Sequence, residues 1–148
     1  MGKEIERKFL VKGEFRHLAS KSSEITQAYL SVNPSRIVRI RIADRKAVLS
    51  IKAPLKDSLL TRREWEYEIP VLEAMELLSV CIPGKIIKTR YLVPSGNHTF
   101  EVDVFHGTKE GLVIAEIELS DEKDFFERPD WLGEEVTGKP EYYNVNLI

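Results

Sequence analysis

The sequence predicts an α+β domain: an eight-stranded antiparallel β-barrel with two or three flanking helices. Three observations lead to this fold. Polar and apolar residues alternate with a period of two over about eight stretches, which is the spacing of β-strands. Short connections rich in turn residues separate several of these stretches, and such connections favour antiparallel neighbours. The polar face of most stretches carries charges of a single sign.

Each predicted strand is a short stretch in which successive side chains point to opposite faces. The stretches are 3–11, 25–32, 36–42, 46–53, 62–69, 85–93, 98–105 and 112–119. Pro94-Ser95-Gly96-Asn97 is typical of a hairpin turn, and Ala43-Asp44-Arg45 is suited to a second one. The strands are therefore expected to follow one another as neighbours in one sheet.

Three segments are predicted to be helical. Residues 70–80 place Val71, Leu72, Met75 and Leu78 on one helical face, and Pro83-Gly84 would end the helix. Residues 120–129 begin with a serine suited to an N-cap and an acidic first turn, and they end at a proline. A third short helix is predicted over residues 141–146. Neither a repeat nor a linker interrupts the pattern, so residues 1–148 are predicted to form a single domain.

The overall composition limits the classes of function. The 148 residues include 22 basic and 24 acidic side chains, for a net charge of −2, whereas a general nucleic-acid binder is expected to be basic. A single cysteine, Cys81, excludes an intramolecular disulfide and a thiolate metal cluster. The sequence lacks a long apolar run, so we expect no membrane partner, no nucleic-acid partner and a cytoplasmic location.

The charged faces suggest a binding site inside the barrel. An outer face of a sheet is often charged and solvated, but a solvated surface usually mixes the two signs. A closed barrel of about eight strands can hold a small ligand in its lumen. Carboxylates are hard oxygen ligands for Mg²⁺ or Mn²⁺, and Lys or Arg side chains can contact phosphate oxygens. The pattern therefore favours a lumen that binds a polyphosphate together with metal ions.

One motif makes this interpretation specific. Glu4-Ile5-Glu6-Arg7-Lys8 resembles the N-terminal signature of the CYTH superfamily, also called triphosphate tunnel metalloenzymes. Further matches follow in the order and approximate spacing of that family: Tyr29-Leu30, Arg39 with Arg41, Lys52, Arg63-Glu64-Trp65-Glu66, Lys88-Thr89-Arg90-Tyr91, Glu101-Val102-Asp103-Val104-Phe105, Glu116-Ile117-Glu118, residues 131–137, Tyr142 and Asn144. The resemblance extends over nearly the whole chain and implies a tunnel that binds a triphosphate.

The resemblance also implies a role for each matching residue. The expected metal ligands, for two Mg²⁺ or Mn²⁺ ions, are Glu4, Glu6, Glu116 and Glu118. The expected contacts to the phosphate chain are Lys8, Arg39, Arg41, Lys52, Lys88 and Arg90. The expected catalytic residues are Glu66, Asp103, Lys52 and Tyr29, with Glu66 or Asp103 taking a proton from water and Tyr29 near the motif lysine at the tunnel mouth. Arg7 is expected outside the tunnel, and Lys56, Arg62 and Arg63 on the solvated surface.

Several functions are compatible with this family. Hydrolysis of inorganic tripolyphosphate is the first expectation, because short members resemble tripolyphosphatases. A class IV adenylyl cyclase and a thiamine triphosphatase are the alternatives. No segment of the sequence resembles the nucleoside pocket that a cyclase needs, and thiamine triphosphatases are generally longer than this chain. A non-catalytic polyphosphate-binding protein is disfavoured, because clustered carboxylates would repel its ligand. The expected partner is a small-molecule triphosphate, and an apolar outer face makes a homodimer plausible.

Overall fold

The computed structural model describes residues 2–148, which form one antiparallel sheet closed into a barrel. The strands are β1 (Gly2–Val11), β2 (Lys21–Ser31), β3 (Ile37–Ala43), β4 (Lys46–Pro54), β5 (Thr61–Ile69), β6 (Ile86–Ser95), β7 (His98–Phe105), β8 (Val113–Glu118) and β9 (Leu132–Glu135). One α-helix, α1 (Val71–Val80), follows β5. The order is β5-β4-β3-β2-β6-β7-β8-β1-β9, and pairing of β5 with β1 closes the first eight strands. The predicted barrel is therefore confirmed.

Strand β1 is the seam of the barrel. Its first half pairs with β5, so that Glu4 lies opposite Arg62. Its second half pairs with β8, which sets Glu6 opposite Glu118 and Lys8 opposite Glu116. Strand β9 pairs with the far end of β1. The motif of alternating charges thus lies where two other charged strands meet.

Two of the three hydrophobic clusters within residues 2–148 lie on the outer faces of the strands, whereas the third, which includes Tyr29, Phe105 and Ile114, lies on the inward face against the C-terminal Leu147. The largest contains Phe9 and Phe100, which are fully buried under Phe126 and Trp131 from the segment that follows β8. The ring centroids of Phe100 and Trp131 are 5.2 Å apart, in an edge-to-face arrangement. Because alternate side chains point to opposite faces, covering the apolar face from outside directs the charged face into the lumen.

The helix α1 is confirmed, but its buried face differs from the prediction. Ala74 is fully buried, and Val71 and Leu78 pack with it against the outside of β3 and β4. Leu72 and Met75 were expected on the same face, yet they are 77% and 57% exposed. Small Ala74 allows the helix to approach the sheet closely, and this contact sets the rotation of the helix.

The helix predicted over residues 120–129 is wrong. The Asp124 carboxylate accepts a hydrogen bond from Ser120 Oγ, and Asp121 Oδ1 accepts one from the backbone of Lys123. These local bonds compete with a helical backbone, as short polar side chains commonly do. The chain then passes without a helix to Phe126, whose ring packs edge-on against Phe9 and Phe100.

The end of the chain also differs from the prediction. Residues 141–146 form parts of two 3₁₀ turns, Pro140–Tyr142 and Asn144–Asn146, rather than one helix. The sequence reading missed β9, a short strand that lies close to β1. A Cβ at Gly133 would stand 2.9 Å from the carbonyl oxygen of Leu10, so this approach requires glycine. No helix within residues 2–148 is long and apolar enough to cross a membrane.

Replacing Phe100 with alanine tests the importance of the outer core. Phe100 is fully buried between two aromatic rings, so Phe100→Ala is expected to lower the free energy of unfolding by about 3–5 kcal/mol. The matched control is Phe125→Ala, since Phe125 is 82% exposed and its loss should change stability by no more than about 0.5 kcal/mol. Urea unfolding monitored by circular dichroism measures both. Equal effects of the two variants would contradict this account of the core.

Candidate active site in the barrel lumen

The barrel encloses a cavity of about 650 Å³, within the range of small-molecule sites. Its wall carries many charged side chains, which are Glu4, Glu6, Lys8, Arg39, Arg41, Lys52, Arg62, Glu64, Glu66, Arg90, Glu101, Glu116 and Glu118. The strand order sorts these charges by side. All the carboxylates come from the adjacent strands β7, β8, β1 and β5, whereas Arg39, Arg41, Lys52 and Arg90 come from β3, β4 and β6.

Glu4 is held by two cations. One of its carboxylate oxygens accepts a hydrogen bond from Lys52 Nζ at 2.7 Å, and the other accepts one from Arg62 Nη2 at 2.7 Å. Burial acts to raise the pKa of Glu4, but the charges of Lys52 and Arg62 outweigh burial and lower it. Glu4 is therefore ionised, with a cation on each oxygen.

Glu6 and Glu116 form a different kind of pair. Burial, reinforced by the charges of Glu116 and Glu4, raises the pKa of Glu6 to about 8. Burial also acts to raise the pKa of Glu116, but Lys8, Arg90 and the hydrogen bond from Glu6 bring it well below its ordinary value. The two carboxyl groups therefore share one proton at neutral pH, which Glu6 holds and donates to Glu116.

The opposite side of the lumen presents guanidinium groups. Arg39 Nη2 donates to Ser50 Oγ at 3.3 Å, and Arg41 Nε donates to Gln27 Oε1 at 3.0 Å. Within residues 2–148, Arg39 Nε is the buried side-chain polar atom that lacks a hydrogen-bond partner. An unpaired buried donor is costly, and an anionic oxygen in the lumen would satisfy it.

Tyr29 and Lys8 both line the cavity, and Lys8 is bonded to the C-terminal segment. The Tyr29 side chain is buried, and Tyr29 lies opposite Arg39 in the pairing of β2 with β3. Burial raises the pKa of its phenol although Arg39 and Arg41 oppose this. Lys8 Nζ donates to the backbone oxygen of Tyr142 at 3.0 Å. The C-terminal segment thus covers the motif lysine.

Lys88 and Asp103 are buried on the inward face of the barrel but are not among the residues that line the cavity. Both side chains are almost completely buried, and Lys88 Nζ is 2.6 Å from Asp103 Oδ2. Arg90 donates to both oxygens of Asp103, at 2.8 and 2.9 Å, and Lys88 also donates to Asn144 Oδ1 at 3.1 Å. Burial lowers the pKa of Lys88 to about 7 against the attraction of Asp103. Of this group, Arg90 is the one that lines the lumen.

Sequence reasoning misplaced Arg62. It was expected on the solvated surface, but it lines the lumen and bonds to Glu4. A signal was available, because Arg62 lies two residues before Glu64 and therefore shares its face of β5. Arg7 lies outside as expected, where it bonds to Glu135. Glu64 and Glu101, whose register was open from sequence, also line the cavity.

The acidic wall offers the right donors for a divalent ion but not a finished coordination shell. Within residues 2–148, no three His, Cys, Asp or Glu side chains converge closely enough to hold a metal. Glu6 nevertheless lies opposite Glu118 and shares a proton with Glu116. Crowded carboxylates of this kind gain stability from a cation, and their oxygens suit Mg²⁺ or Mn²⁺. The residues therefore fit a divalent metal once the proton and the internal cations give way.

The raised pKa of Glu6 predicts how stability depends on pH. The folded chain keeps the Glu6 proton up to about pH 8, whereas the unfolded chain loses it at its ordinary value of 4.5. This contribution to stability is therefore present below that ordinary value and is lost as the pH rises through about 8. Thermal unfolding in EDTA from about pH 5 to about pH 8 measures the loss. Glu6→Gln should flatten the pH profile and Glu68→Gln, at an exposed position, should not; identical profiles for all three proteins would refute the assignment.

Comparison with known proteins agrees with this geometry. The CYTH domain family model matches residues 2–146. The inorganic triphosphatase of Acetivibrio thermocellus is 46% identical over 149 residues, covering 100% of this chain and 94% of that protein. The inorganic triphosphatase of Nitrosomonas europaea is 34% identical, covering 97% and 95%. A crystal structure of an inorganic triphosphatase, 32% identical, covers 97% of this chain and 96% of that one with a TM-score of 0.65. The chain therefore belongs to the CYTH domain family.

Proposed function

We propose that this protein is an enzyme that hydrolyses inorganic triphosphate to pyrophosphate and phosphate with the help of divalent metal ions. The observation that carries the proposal is the sorting of charge around the lumen among residues 2–148, with every lining carboxylate on β7, β8, β1 and β5 and four of the six lining cations on β3, β4 and β6. Such a site can hold a polyanion on one side and its metal ions on the other. The inorganic triphosphatases of the same family support this choice of substrate.

The cationic side is proposed to hold the phosphate chain. Arg39, Arg41, Lys52 and Arg90 line the lumen together with Lys8. Their charges neutralise phosphate oxygens and stabilise the charge that builds up on the departing pyrophosphate, and such positioned cations supply most of the catalysis in phosphoryl transfer. Lys88 is proposed to act indirectly, because it holds Asp103, which in turn fixes the Arg90 guanidinium.

The acidic side is proposed to hold two Mg²⁺ or Mn²⁺ ions through Glu4, Glu6, Glu116 and Glu118. Bound there, the ions would contact phosphate oxygens and lower the pKa of a bound water. For this to happen, Glu6 must release the proton that it shares with Glu116. Glu4 must also exchange a cation, since both of its oxygens are occupied.

Glu66 is proposed as the proton acceptor. The water oxygen bonds to the terminal phosphorus, the bond from that phosphorus to the bridging oxygen breaks, and pyrophosphate leaves with the electron pair. Glu66 lines the lumen, where its carboxylate accepts a hydrogen bond from Ser50 Oγ at 3.3 Å. Asp103, the other candidate, is less suitable because Arg90 and Lys88 occupy its oxygens and it lies outside the cavity wall. Tyr29, which lies opposite Arg39 in the pairing of β2 with β3, is proposed to position Arg39 by packing.

An organic triphosphate is a second candidate substrate. The β2–β3 and β4–β5 connections reach the cavity at the same end of the barrel, and they supply Val32, Pro34 and Leu59 to its lining. Tyr143 and Val145 of the C-terminal segment add further apolar surface. An aromatic or apolar group attached to the triphosphate could pack there, as in a thiamine triphosphatase or an adenylyl cyclase.

Substitution of the cationic residues tests the site. Lys52→Gln and Arg41→Gln each remove one positioned charge, so the turnover of tripolyphosphate is expected to fall by about 10²–10³-fold. Lys46→Gln is the matched control, because Lys46 is an exposed residue on the same strand as Lys52. Phosphate release under saturating substrate and metal measures the effect, and circular dichroism checks the fold. Undiminished turnover in both folded variants would rule out this assignment.

A substrate panel tests the reaction. The protein is supplied with tripolyphosphate, pyrophosphate, ATP or thiamine triphosphate and with Mg²⁺ or Mn²⁺, and both phosphate and cyclic AMP are measured. We expect the fastest phosphate release from tripolyphosphate and a complete loss of activity in EDTA that added metal restores. Cyclic AMP formation from ATP without tripolyphosphate turnover would instead identify a cyclase, and turnover that survives EDTA would contradict the metal requirement.

A further inference from the structure

Arg62 has a position that neither the family motif nor the proposed chemistry explains. Its guanidinium donates to Glu4 Oε1 at 2.7 Å and lies 3.9 Å from Glu6 Oε1. It reaches these carboxylates because β5 pairs with the first half of β1, which sets Arg62 directly opposite Glu4. Arg62 therefore lies among the acidic side chains, two strands away from Arg39 and Arg41 on β3.

The two cations on Glu4 differ in exposure. The Lys52 side chain is 9% exposed and bonds to Oε2, whereas the Arg62 side chain is 34% exposed and bonds to Oε1. Burial acts to lower the pKa of Arg62, but Glu4 and Glu6 more than offset this and raise it, so the guanidinium is charged. The more exposed cation is thus also the one that spans both glutamates.

A divalent ion needs the same oxygens. Carboxylate oxygens approach Mg²⁺ at about 2.0–2.1 Å, and an oxygen that binds a metal this closely cannot keep a full hydrogen bond to a guanidinium in the same direction. The positive charges would also repel each other across a short distance. Lys52 can remain on Oε2, since a metal on Oε1 leaves that oxygen free.

We propose that Arg62 is the internal counter-cation of the acidic wall and that a divalent ion binding at Glu4 and Glu6 displaces it. This inference rests on the proposed metal-dependent function. Arg62 compensates the negative charge of Glu4 while no metal is bound. By thermodynamic linkage, the same contact opposes metal binding, because each bound metal must break it.

Metal affinity in the absence of substrate tests the competition. Isothermal titration calorimetry of Mn²⁺ into the metal-free protein should show about tenfold tighter binding to Arg62→Gln than to the wild type, since one charge-assisted bond no longer has to be broken. Arg62→Lys keeps a charge but loses the planar guanidinium whose Nη2 contacts both glutamates, so its affinity should lie between the two. The control is Arg63→Gln, the exposed neighbour that stacks on Trp65, and it should bind Mn²⁺ as the wild type does.

Thermal unfolding provides a second readout. In EDTA, Arg62→Gln should unfold at a lower temperature than the wild type because Glu4 loses one of its partners. Saturating Mn²⁺ should raise the unfolding temperature of Arg62→Gln by more than it raises that of the wild type. Arg63→Gln should match the wild type in both conditions. If Arg62→Gln does not fold, the Arg62→Lys titration decides.

The outcomes separate this inference from the proposed function. Mn²⁺ affinity that is unchanged or weaker in both Arg62 variants would overturn the role of Arg62, while tripolyphosphate turnover by the wild type would still support the function. A wild type that binds no Mn²⁺ and hydrolyses no tripolyphosphate would remove both proposals.

Discussion

The enclosure of ionised side chains of both signs within one barrel is the constraint on which this structure depends. An isolated charge in such a space would be costly, so each must find an opposite charge, a proton or solvent. Glu4 finds Lys52 and Arg62, Asp103 finds Lys88 and Arg90, and Glu6 keeps a proton. The partners differ because the carboxylates lie on neighbouring strands, where there are too few cations for every carboxylate to have one.

That sorting depends on the outer faces of the strands. Because much of the lumen is charged, only one apolar cluster of residues 2–148 lies inside the barrel, and the other two must be covered from outside. The segment after β8 covers Phe9 and Phe100, and α1 covers Ile40. The fold therefore places most of its apolar contacts on the outer side of the strands and its charged residues on the inner side.

The alternation of residues made the barrel and most of the lumen predictable, because a period of two determines which face a side chain occupies. It does not determine depth or the path of connections. Lys88 and Asp103 share the inward face with Arg90, yet both are buried and neither lines the cavity. The acidic segment after β8 contains residues that favour helices, but the local hydrogen bonds of Asp121 and Asp124 compete with a helix, and Phe126 packs against Phe9. Arg62 was expected on the surface because it lies beside a loop, although its alternation with Glu64 along β5 places it on the inward face.

If the lumen binds a triphosphate with metal ions, as proposed, its balance of charge favours their binding as a combination. Burial raises the pKa of Glu64 to about 7, with Glu4 as the next cause, and the pKa of Glu6 lies near 8. With those protons in place, the carboxylates and the cations of the cavity wall nearly cancel at neutral pH. Such a lumen has little net attraction for a polyanion, although its cationic side attracts one locally. Divalent ions would release the protons and supply positive charge, so the acidic side serves the phosphate through the metal that it binds.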